Sequence, residues 1–260
     1  MRKRSGLLLI VIFVYAFLFI PLLIVLVTSF TSADYVGIPP VGFSLKWYGK
    51  VFTINSFMRA LSLSLRISSL ATLISLVIGI PGAYALSRCE FKGKKIIKNF
   101  FFSPNIVPQV VMGFALFQFI IIKLQMPVAI SLLVGLSVAI STYALRGIGA
   151  SIEGLDYAIE EAAICLGASR LKTFFVVVLP NITSGILSAF LLAFISAFNN
   201  VPITIFLSGP GVLTLPTAMM NYVEYNYDPA VSALSVLLML MSMAIMLITE
   251  KLLGVNKNSR

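Results

Sequence analysis

Histidine is missing from the 260 residues of this chain, and cysteine occurs only twice, at Cys89 and Cys165. The absence of histidine excludes catalytic triads with a histidine base and metal sites with imidazole ligands. Two cysteines cannot form a disulfide framework. Charge is also scarce: 11% of the residues are charged and 59% are hydrophobic, whereas about a quarter are charged in soluble domains. Water is therefore not the main solvent of this chain.

Six apolar runs are long enough to cross a membrane, since a helix rising about 1.5 Å per residue needs about 20 residues for a hydrocarbon layer about 30 Å thick. We therefore predict an all-α integral membrane protein with one transmembrane domain over residues 1–260. The predicted spans are 7–30, 61–87, 100–122, 127–145, 174–198 and 229–253. The first follows three basic residues, as in a secretory signal, but exceeds the about 7–15 apolar residues of a signal. We expect it to be retained.

Lysine and arginine are unevenly distributed between the two sides of these spans. Fourteen lie in the N-terminus, in 88–98, in 146–172 and in the C-terminal tail, and five lie on the opposite side. Basic residues concentrate on the cytoplasmic side of membranes, so we expect both termini in the cytoplasm. The net charge of +10 fits membrane lipids with anionic headgroups, and no single basic face predicts nucleic acid as a partner.

Prolines and small residues shape the predicted spans. We expect Pro21, Pro81, Pro104 and Pro108 to bend their helices. Small residues recur on one stripe of the second span from Ser64 to Ala83, which permits close packing of another helix. The apolar segment within 199–228 is too broken to span, and predicts a short re-entrant or interfacial helix.

An energy source is also absent from the sequence. No Asp, Glu, Lys or Arg lies in the middle of a predicted span, which argues against the proton relay of a secondary carrier. The phosphate-binding loop of ATPases is missing, since Gly93-Lys94-Lys95 lacks both the first glycine and the hydroxyl of that motif. An intramembrane enzyme would need a catalytic cluster that the spans do not contain. If ATP drives transport, a partner must hydrolyse it; a carrier or channel that works alone is the alternative.

A polar loop between the fourth and fifth spans predicts a short helix. Asp156 can cap its N-terminus, Glu160 and Glu161 lie near the positive end of its dipole, and Gly167 can end it. Small residues after the two acids leave one face smooth, which suits docking into a groove of another protein. A solvated connecting helix is the alternative interpretation.

This loop resembles the Glu-Ala-Ala signature of bacterial ATP-binding-cassette (ABC) import permeases. The signature is Glu-Ala-Ala, three residues, Gly, nine or more residues, then a hydrophobe and Leu-Pro. The matching residues are Glu161, Ala162, Ala163, Gly167, Leu179 and Pro180. The resemblance implies a six-helix, type I importer permease of the bacterial inner membrane, in which loop 146–173 carries the coupling helix.

The resemblance also implies a set of partners. These are two ATPase subunits, a second and similar permease, and an extracytoplasmic solute-binding protein. ATP and magnesium would be bound by the ATPases, so this chain would hold no cofactor and no metal and would not be catalytic. Asp156 and Glu160 would join the signature residues in coupling to the ATPase.

Within the family, the chain resembles the permeases of spermidine and putrescine importers. This narrower match rests on 196–203, 206–210 and 213–216, whereas Pro104 and Pro108 belong to the match with the family as a whole. A polyamine is the solute that this resemblance implies. Many relatives have an acid at the position of Asn199 or Asn200, and because this chain departs from them, a ferric complex or another small solute is the alternative.

Polar residues placed where a cavity could lie are candidates for the substrate path, because a polar side chain facing lipid is costly. They are Gln109, Gln118, Ser196, Asn199, Asn200, Glu224 and Asp228. The last two lie on an outer segment without basic residues, where negative charge would attract a polyamine. Hydrogen bonding between helices, or contact with the binding protein, is the alternative role for each.

Overall fold

The computed structural model describes residues 2–253, with all side chains in that range except those of 2–9, 105, 248–250, 252 and 253. The described residues are mostly helical. The helices are α1 (Arg2–Ser29), α2 (Lys46–Thr53), α3 (Asn55–Arg88), α4 (Lys94–Phe102), α5 (Gln109–Leu116), α6 (Val128–Glu153), α7 (Tyr157–Cys165), α8 (Arg170–Thr173), α9 (Leu179–Asn181), α10 (Thr183–Phe198), α11 (Val201–Phe206), α12 (Leu215–Tyr225) and α13 (Ala230–Leu253). A 3-10 turn covers Ser103–Asn105, and π-helical turns cover Phe117–Lys123 and Phe174–Val178. The C-terminal basic residues Lys257 and Arg260 lie outside the described residues.

Four of these helices are long and apolar enough to cross a membrane, in agreement with the first, second, fourth and sixth predicted spans. Their apolar segments are Ile10–Ser29, Asn55–Arg88, Val128–Glu153 and Ala230–Leu247. The fifth predicted span corresponds to Arg170–Asn181 and Thr183–Phe198, two helical stretches that meet at 70°. The all-helical membrane fold is confirmed, but the count of six spans is not confirmed within residues 2–253.

The third predicted span, 100–122, is interrupted in the structure. α4 ends at Phe102, a 3-10 turn follows, and α5 begins only after Pro108. The backbone of Pro108 has an extended ψ of 129°, and its missing amide could not continue a helix. In contrast, Pro21 and Pro81 lie inside the continuous helices α1 and α3.

The first of two compact units contains the described residues of Met1–Arg59 and Ala218–Arg260. α1 packs along α13, and the Thr28 hydroxyl of α1 donates to the Ser232 hydroxyl of α13 at 3.2 Å. Trp47 of α2 is buried, and its indole N–H donates to the Thr31 carbonyl at 2.9 Å. This bond fixes α2 to the segment that leaves α1.

The second unit is Ala60–Thr217, and α6 supplies residues to both of its hydrophobic clusters. α6 packs along α10, where a Cβ built on Gly147 would lie 2.8 Å from the Cβ of Ala189. The smallest side chain therefore allows the two helices to approach closely, as is common in membrane proteins. The single permease domain over residues 1–260, which would contain both units, stays a prediction.

The stripe of small residues on α3 is buried, as expected. The Ser75 hydroxyl donates to the Ser137 carbonyl on α6 at 2.9 Å. A Cβ on Gly79 would lie 3.0 Å from the Cβ of Ala144. Close packing of α3 on α6 accounts for this part of the stripe, whereas Ser64 at its start accepts a hydrogen bond from the amide of Leu215 at 2.7 Å.

The broken apolar segment within 199–228 forms two short helices, α11 and α12, where one was expected. Between them, Gly209 and Val212 pair through their backbones. Gly211 takes a φ of 76° inside this turn, a conformation that glycine adopts readily. The turn explains why the segment is not one continuous helix.

Candidate functional site

Helix α7 lies on the loop where the sequence predicted a short helix. Asp156 caps its N-terminus, since the carboxylate accepts a hydrogen bond from the amide of Ala158 at 3.0 Å. At the other end Gly167 takes a φ of 91°, and its amide and the next one donate to carbonyls in the last turn of α7. This pair of bonds is a Schellman motif, which favours glycine. Both predicted ends of the helix are confirmed.

Glu160 points into the protein although α7 is short and otherwise mostly exposed. Only 2% of Glu160 is exposed. Arg88, the last residue of α3, donates from Nε to Glu160 Oε1 at 2.8 Å, and the Tyr84 hydroxyl donates to Oε2 at 3.0 Å. A buried carboxylate without partners would be strongly unfavourable. These two donors therefore explain how α7 can carry an acid on its inner face.

Arg88 also binds the backbone at the end of α6 and in the loop that leads into α7. Its Nη2 donates to the carbonyls of Ile152 at 2.9 Å and Leu155 at 2.6 Å. The guanidinium carbon lies 5.2 Å from the ring centroid of Tyr157. One guanidinium thus joins α3, α6 and α7, a role that its planar fork of donors allows and a lysine ammonium does not. We call Tyr84, Arg88, Tyr157 and Glu160 the Arg88 junction.

The face of α7 that points away from Glu160, which we call its outer face, is uncovered in the part of the chain that the structure describes. Glu161 and Ala162 are exposed, and Ala163 is half-buried. Leu166, just after the helix, is 89% exposed, and a Cβ on Gly167 would meet no atom within 4 Å. An exposed leucine beside small residues forms a surface that another protein could cover. The Arg88 junction therefore anchors one face of α7 and leaves the other free.

The Leu-Pro pair of the signature lies just before the bend into α10. The Thr183 hydroxyl donates to the carbonyls of Leu179 at 3.2 Å and Pro180 at 2.8 Å. Ile182, between the two helical stretches that meet at 70°, is buried. The pair therefore marks the point where the loop turns into a long apolar helix.

Five candidates for the substrate path belong to the second unit, and the structure joins two of them. Asn200 donates from Nδ2 to Gln109 Oε1 at 3.2 Å. Asn200 is also buried and caps the start of α11 through its side-chain oxygen. Gln118 and Asn199 are exposed, and Ser196 is half-buried. Asn200 therefore has a structural role, and the path assignment of all five stays a prediction.

The other two candidates, Glu224 and Asp228, belong to the first unit. Glu224 is exposed. Asp228 accepts hydrogen bonds from Lys50 Nζ at 2.6 Å and from the Tyr222 hydroxyl at 2.9 Å. Burial, and then this hydrogen bond, raise the pKa of Tyr222 to about 12. Because Lys50 offsets the charge of Asp228, attraction of a polyamine by this acid stays a prediction.

Arg88, Tyr84 and Tyr157 were not predicted as site residues from the sequence. Arg88 counted only among the basic residues that set the orientation. Its partner Glu160 is 72 residues away, and no spacing rule links positions so far apart. One signal in the sequence could have indicated this ion pair: an arginine stands at the end of one apolar run, and an acid stands beside another.

The described residues thus form an all-helical membrane protein in which a loop helix is anchored on one face and open on the other. This chain belongs to the family described as binding-protein-dependent transport system inner membrane component, whose model matches residues 73–254. It is therefore the permease subunit of an ABC importer, a non-catalytic multi-pass protein of the inner membrane.

Several known proteins are similar to this chain. The putrescine transport system permease protein PotI of Escherichia coli K12 is 32% identical, over 86% of this chain and 82% of its own length. The spermidine/putrescine permease PotC of Haemophilus influenzae is 30% identical, over 91% and 92%. The molybdenum transport permease ModB of E. coli K12 is 32% identical, over 76% and 94%. A bacterial alginate ABC transporter, solved with an alginate-bound periplasmic protein, has a chain with the same fold, at 17% identity and a TM-score of 0.73, over 96% and 92%.

Proposed function

We propose that this chain forms part of the pathway by which an ATP-driven importer moves polyamines into the cell, with both termini in the cytoplasm. The observation that carries the proposal is α7, anchored inside by Glu160 and uncovered outside. We infer that an ATPase subunit docks on the uncovered face, which includes Glu161, Ala162 and Leu166. Asp156 and Gly167 contribute by fixing the two ends of α7.

The Arg88 junction would give this docking a mechanical consequence. The ATPase subunits bind ATP and magnesium, and their closure pushes on the outer face of α7. Because Glu160 is tied to Arg88 at the end of α3, the push reaches a helix long enough to cross the membrane. The displacement shifts the population between inward-open and outward-open pathways. Without the ion pair of Arg88 and Glu160, α7 could move while α3 stayed in place.

The polyamine assignment is supported by the names of two relatives, PotI and PotC, together with the matching residues at 196–203 and 206–210. Neutral polar side chains such as Gln118, Ser196 and Asn199 could bind the ammonium groups of a polyamine without a strong fixed charge. The second candidate is another small solute, since ModB, a molybdenum permease, reaches the same identity as PotI. A ferric complex belongs to this second candidate.

The remaining parts of the importer would be two ATPases, a second permease similar to this chain, and an extracytoplasmic binding protein. The alginate transporter solved with its periplasmic protein is a structural neighbour with that kind of partner. The binding protein would deliver the solute at the end of the bundle opposite α7.

The test is ATP hydrolysis by the complex that copurifies with this chain, reconstituted in lipid with its binding protein. Spermidine, putrescine, a ferric chelate and molybdate are titrated separately. Stimulation by a polyamine alone supports the proposal, whereas stimulation by another solute alone overturns the polyamine part.

A carrier that works alone gives a different result. In vesicles that keep their ion gradients, removal of ATP should stop uptake by an ATP-driven importer. Uptake that continues without ATP, or purification without any ATPase, would overturn the importer assignment at the level of this complex.

A further inference from the structure

Two neighbouring depressions lie along the second unit; α3, α4 and α6 line both, and α5 also lines one of them. The larger has a volume of about 720 Å³, and its lining includes Ile78, Phe100 and Val138; we call it the groove. The smaller has a volume of about 270 Å³, and its lining includes Lys98 and Arg146; we call it the basic pocket. Helices α3, α4 and α6 contribute residues to both depressions. On α3 and on α6, the residues that line the basic pocket come after the residues that line the groove. The basic pocket therefore continues the groove.

The groove is apolar in effect, although four serines line it. Ser75, Ser103, Ser137 and Ser141 donate their hydroxyls to backbone carbonyls at 2.7–2.9 Å. Their donors are therefore already used, and a polar solute would find few free partners. The other lining residues are apolar, and several are exposed, including Val111, which is 55% exposed. The groove suits a hydrocarbon chain rather than a hydrophilic solute.

The basic pocket carries two cations and a net positive charge, although one acid also lines it. Within the described residues, neither Lys98 nor Arg146 forms an ion pair. The guanidinium of Arg146 lies 5.1 Å from the ring centroid of Phe102, which positions the group and leaves its N–H donors available. Ser87 and one acid, Glu153, also line the pocket. The two cations would repel a polyamine and attract a phosphate.

The stretch of the two depressions from the groove to the basic side chains is close in length to one half of a bilayer. On α6, Val134 lines the groove and Arg146 lines the basic pocket, and these residues lie about 18 Å apart at about 1.5 Å per residue. One half of the hydrocarbon layer is about 15 Å thick. A molecule with an acyl chain in the groove would therefore have its headgroup at Lys98 and Arg146.

We propose that the groove and the basic pocket form a binding site for one anionic phospholipid. Its phosphate binds between Lys98 and Arg146, and one acyl chain lies in the groove. Basic pockets between transmembrane helices bind anionic headgroups by the same chemistry. The site is separate from the outer face of α7, and its existence does not depend on which solute is transported.

The experiment is native mass spectrometry of the full-length chain in detergent micelles, with phosphatidylglycerol or phosphatidylcholine of identical acyl chains. We expect the wild type to retain phosphatidylglycerol about tenfold better. The double variant Lys98→Gln with Arg146→Gln should bind it about 30-fold more weakly, or about 2 kcal/mol at about 1.4 kcal/mol per tenfold change. Lys95→Gln is the matched control, because Lys95 is on the same helix and lines neither depression. Ala115→Trp fills the groove and should reduce retention of both lipids.

Four outcomes would overturn the proposal. They are equal retention of the two lipids by the wild type, unchanged retention by the double variant, unchanged retention by Ala115→Trp, and displacement of the lipid by glycerol phosphate, which has no acyl chain. A fifth outcome, loss of the lipid when a second permease copurifies, would also overturn the proposal and identify the groove as a subunit interface. Circular dichroism checks the fold of each variant; should the double variant misfold, Lys98→Gln alone, at an exposed residue, carries the test with about a fivefold loss.

Discussion

Replacing Glu160 with glutamine should release α7 from the end of α3. The substitution keeps the shape of the side chain and removes the charge that Arg88 faces at 2.8 Å. Loss of one partner from a buried ion pair costs about 3–5 kcal/mol. We expect about 3 kcal/mol, the lower value, because Arg88 keeps its two carbonyl acceptors and its side chain is 14% exposed.

Hydrogen exchange of the α7 amides measures this loss in the full-length chain. A nine-residue helix has little stability by itself in water, so its amides exchange when the Arg88 junction opens. About 3 kcal/mol corresponds to about a hundredfold faster exchange, at about 1.4 kcal/mol per tenfold change. Amides in the middle of α6 should exchange as in the wild type.

Glu161→Gln is the matched control, since it makes the same chemical change one residue further along α7. Glu161 is exposed and has no ion pair within the described residues, so its effect should stay within about 0.5 kcal/mol, or about twofold. Equal exchange in the two variants would refute the reasoning, because burial and the Arg88 contact would then make no difference.

Three further predictions follow from particular positions. Gly167→Ala should destabilise the end of α7 by about 1–2 kcal/mol, since its φ is 91°; Gly93→Ala, with a φ of 88°, should leave α7 exchange unchanged, and equal effects on α7 would contradict this. Gly147→Ala should lower the thermal midpoint, because its Cβ would lie 2.8 Å from a Cβ of α10, whereas Gly149→Ala, with no atom nearer than 4.0 Å, should not; equal midpoints would contradict this. Tyr222→Phe should remove one tyrosine that ionises near pH 12 in a spectrophotometric titration. Because the pKa of Tyr222 is raised in the folded protein, the stability that its protonated hydroxyl contributes to the fold is complete below pH 10 and is lost as the pH rises through about 12. Titration of Tyr222 near pH 10 would contradict this.

The ends of α7 could be predicted from the sequence, because a cap and a stop depend on residue types at neighbouring positions. Asp156 provides an acceptor for a free amide, and Gly167 tolerates a positive φ. The burial of the stripe on α3 was predictable for a similar reason, since small residues at helical spacing form one face. Local chemistry was sufficient in each case.

Contacts between distant segments could not be predicted in this way. The ion pair of Arg88 and Glu160 depends on how α7 packs against the end of α3, and Arg88 by itself has the properties of any basic residue beside a span. The break at Pro108 had a local signal, since a proline can either bend a helix or end it. The apolar residues around Pro108 favoured a continuous span in the sequence, but the structure shows an interruption there.

The two carbonyl bonds of Arg88 have a consequence for how this family can vary in sequence. Every residue type supplies the same backbone carbonyl. Positions 152 and 155 can therefore be occupied by different apolar residues without loss of the two hydrogen bonds from Arg88. Positions 88 and 160 are bound through side chains, and a change at one is tolerated only with a matching change at the other. In an alignment of relatives, we therefore expect 88 and 160 to co-vary while 152 and 155 vary independently of both.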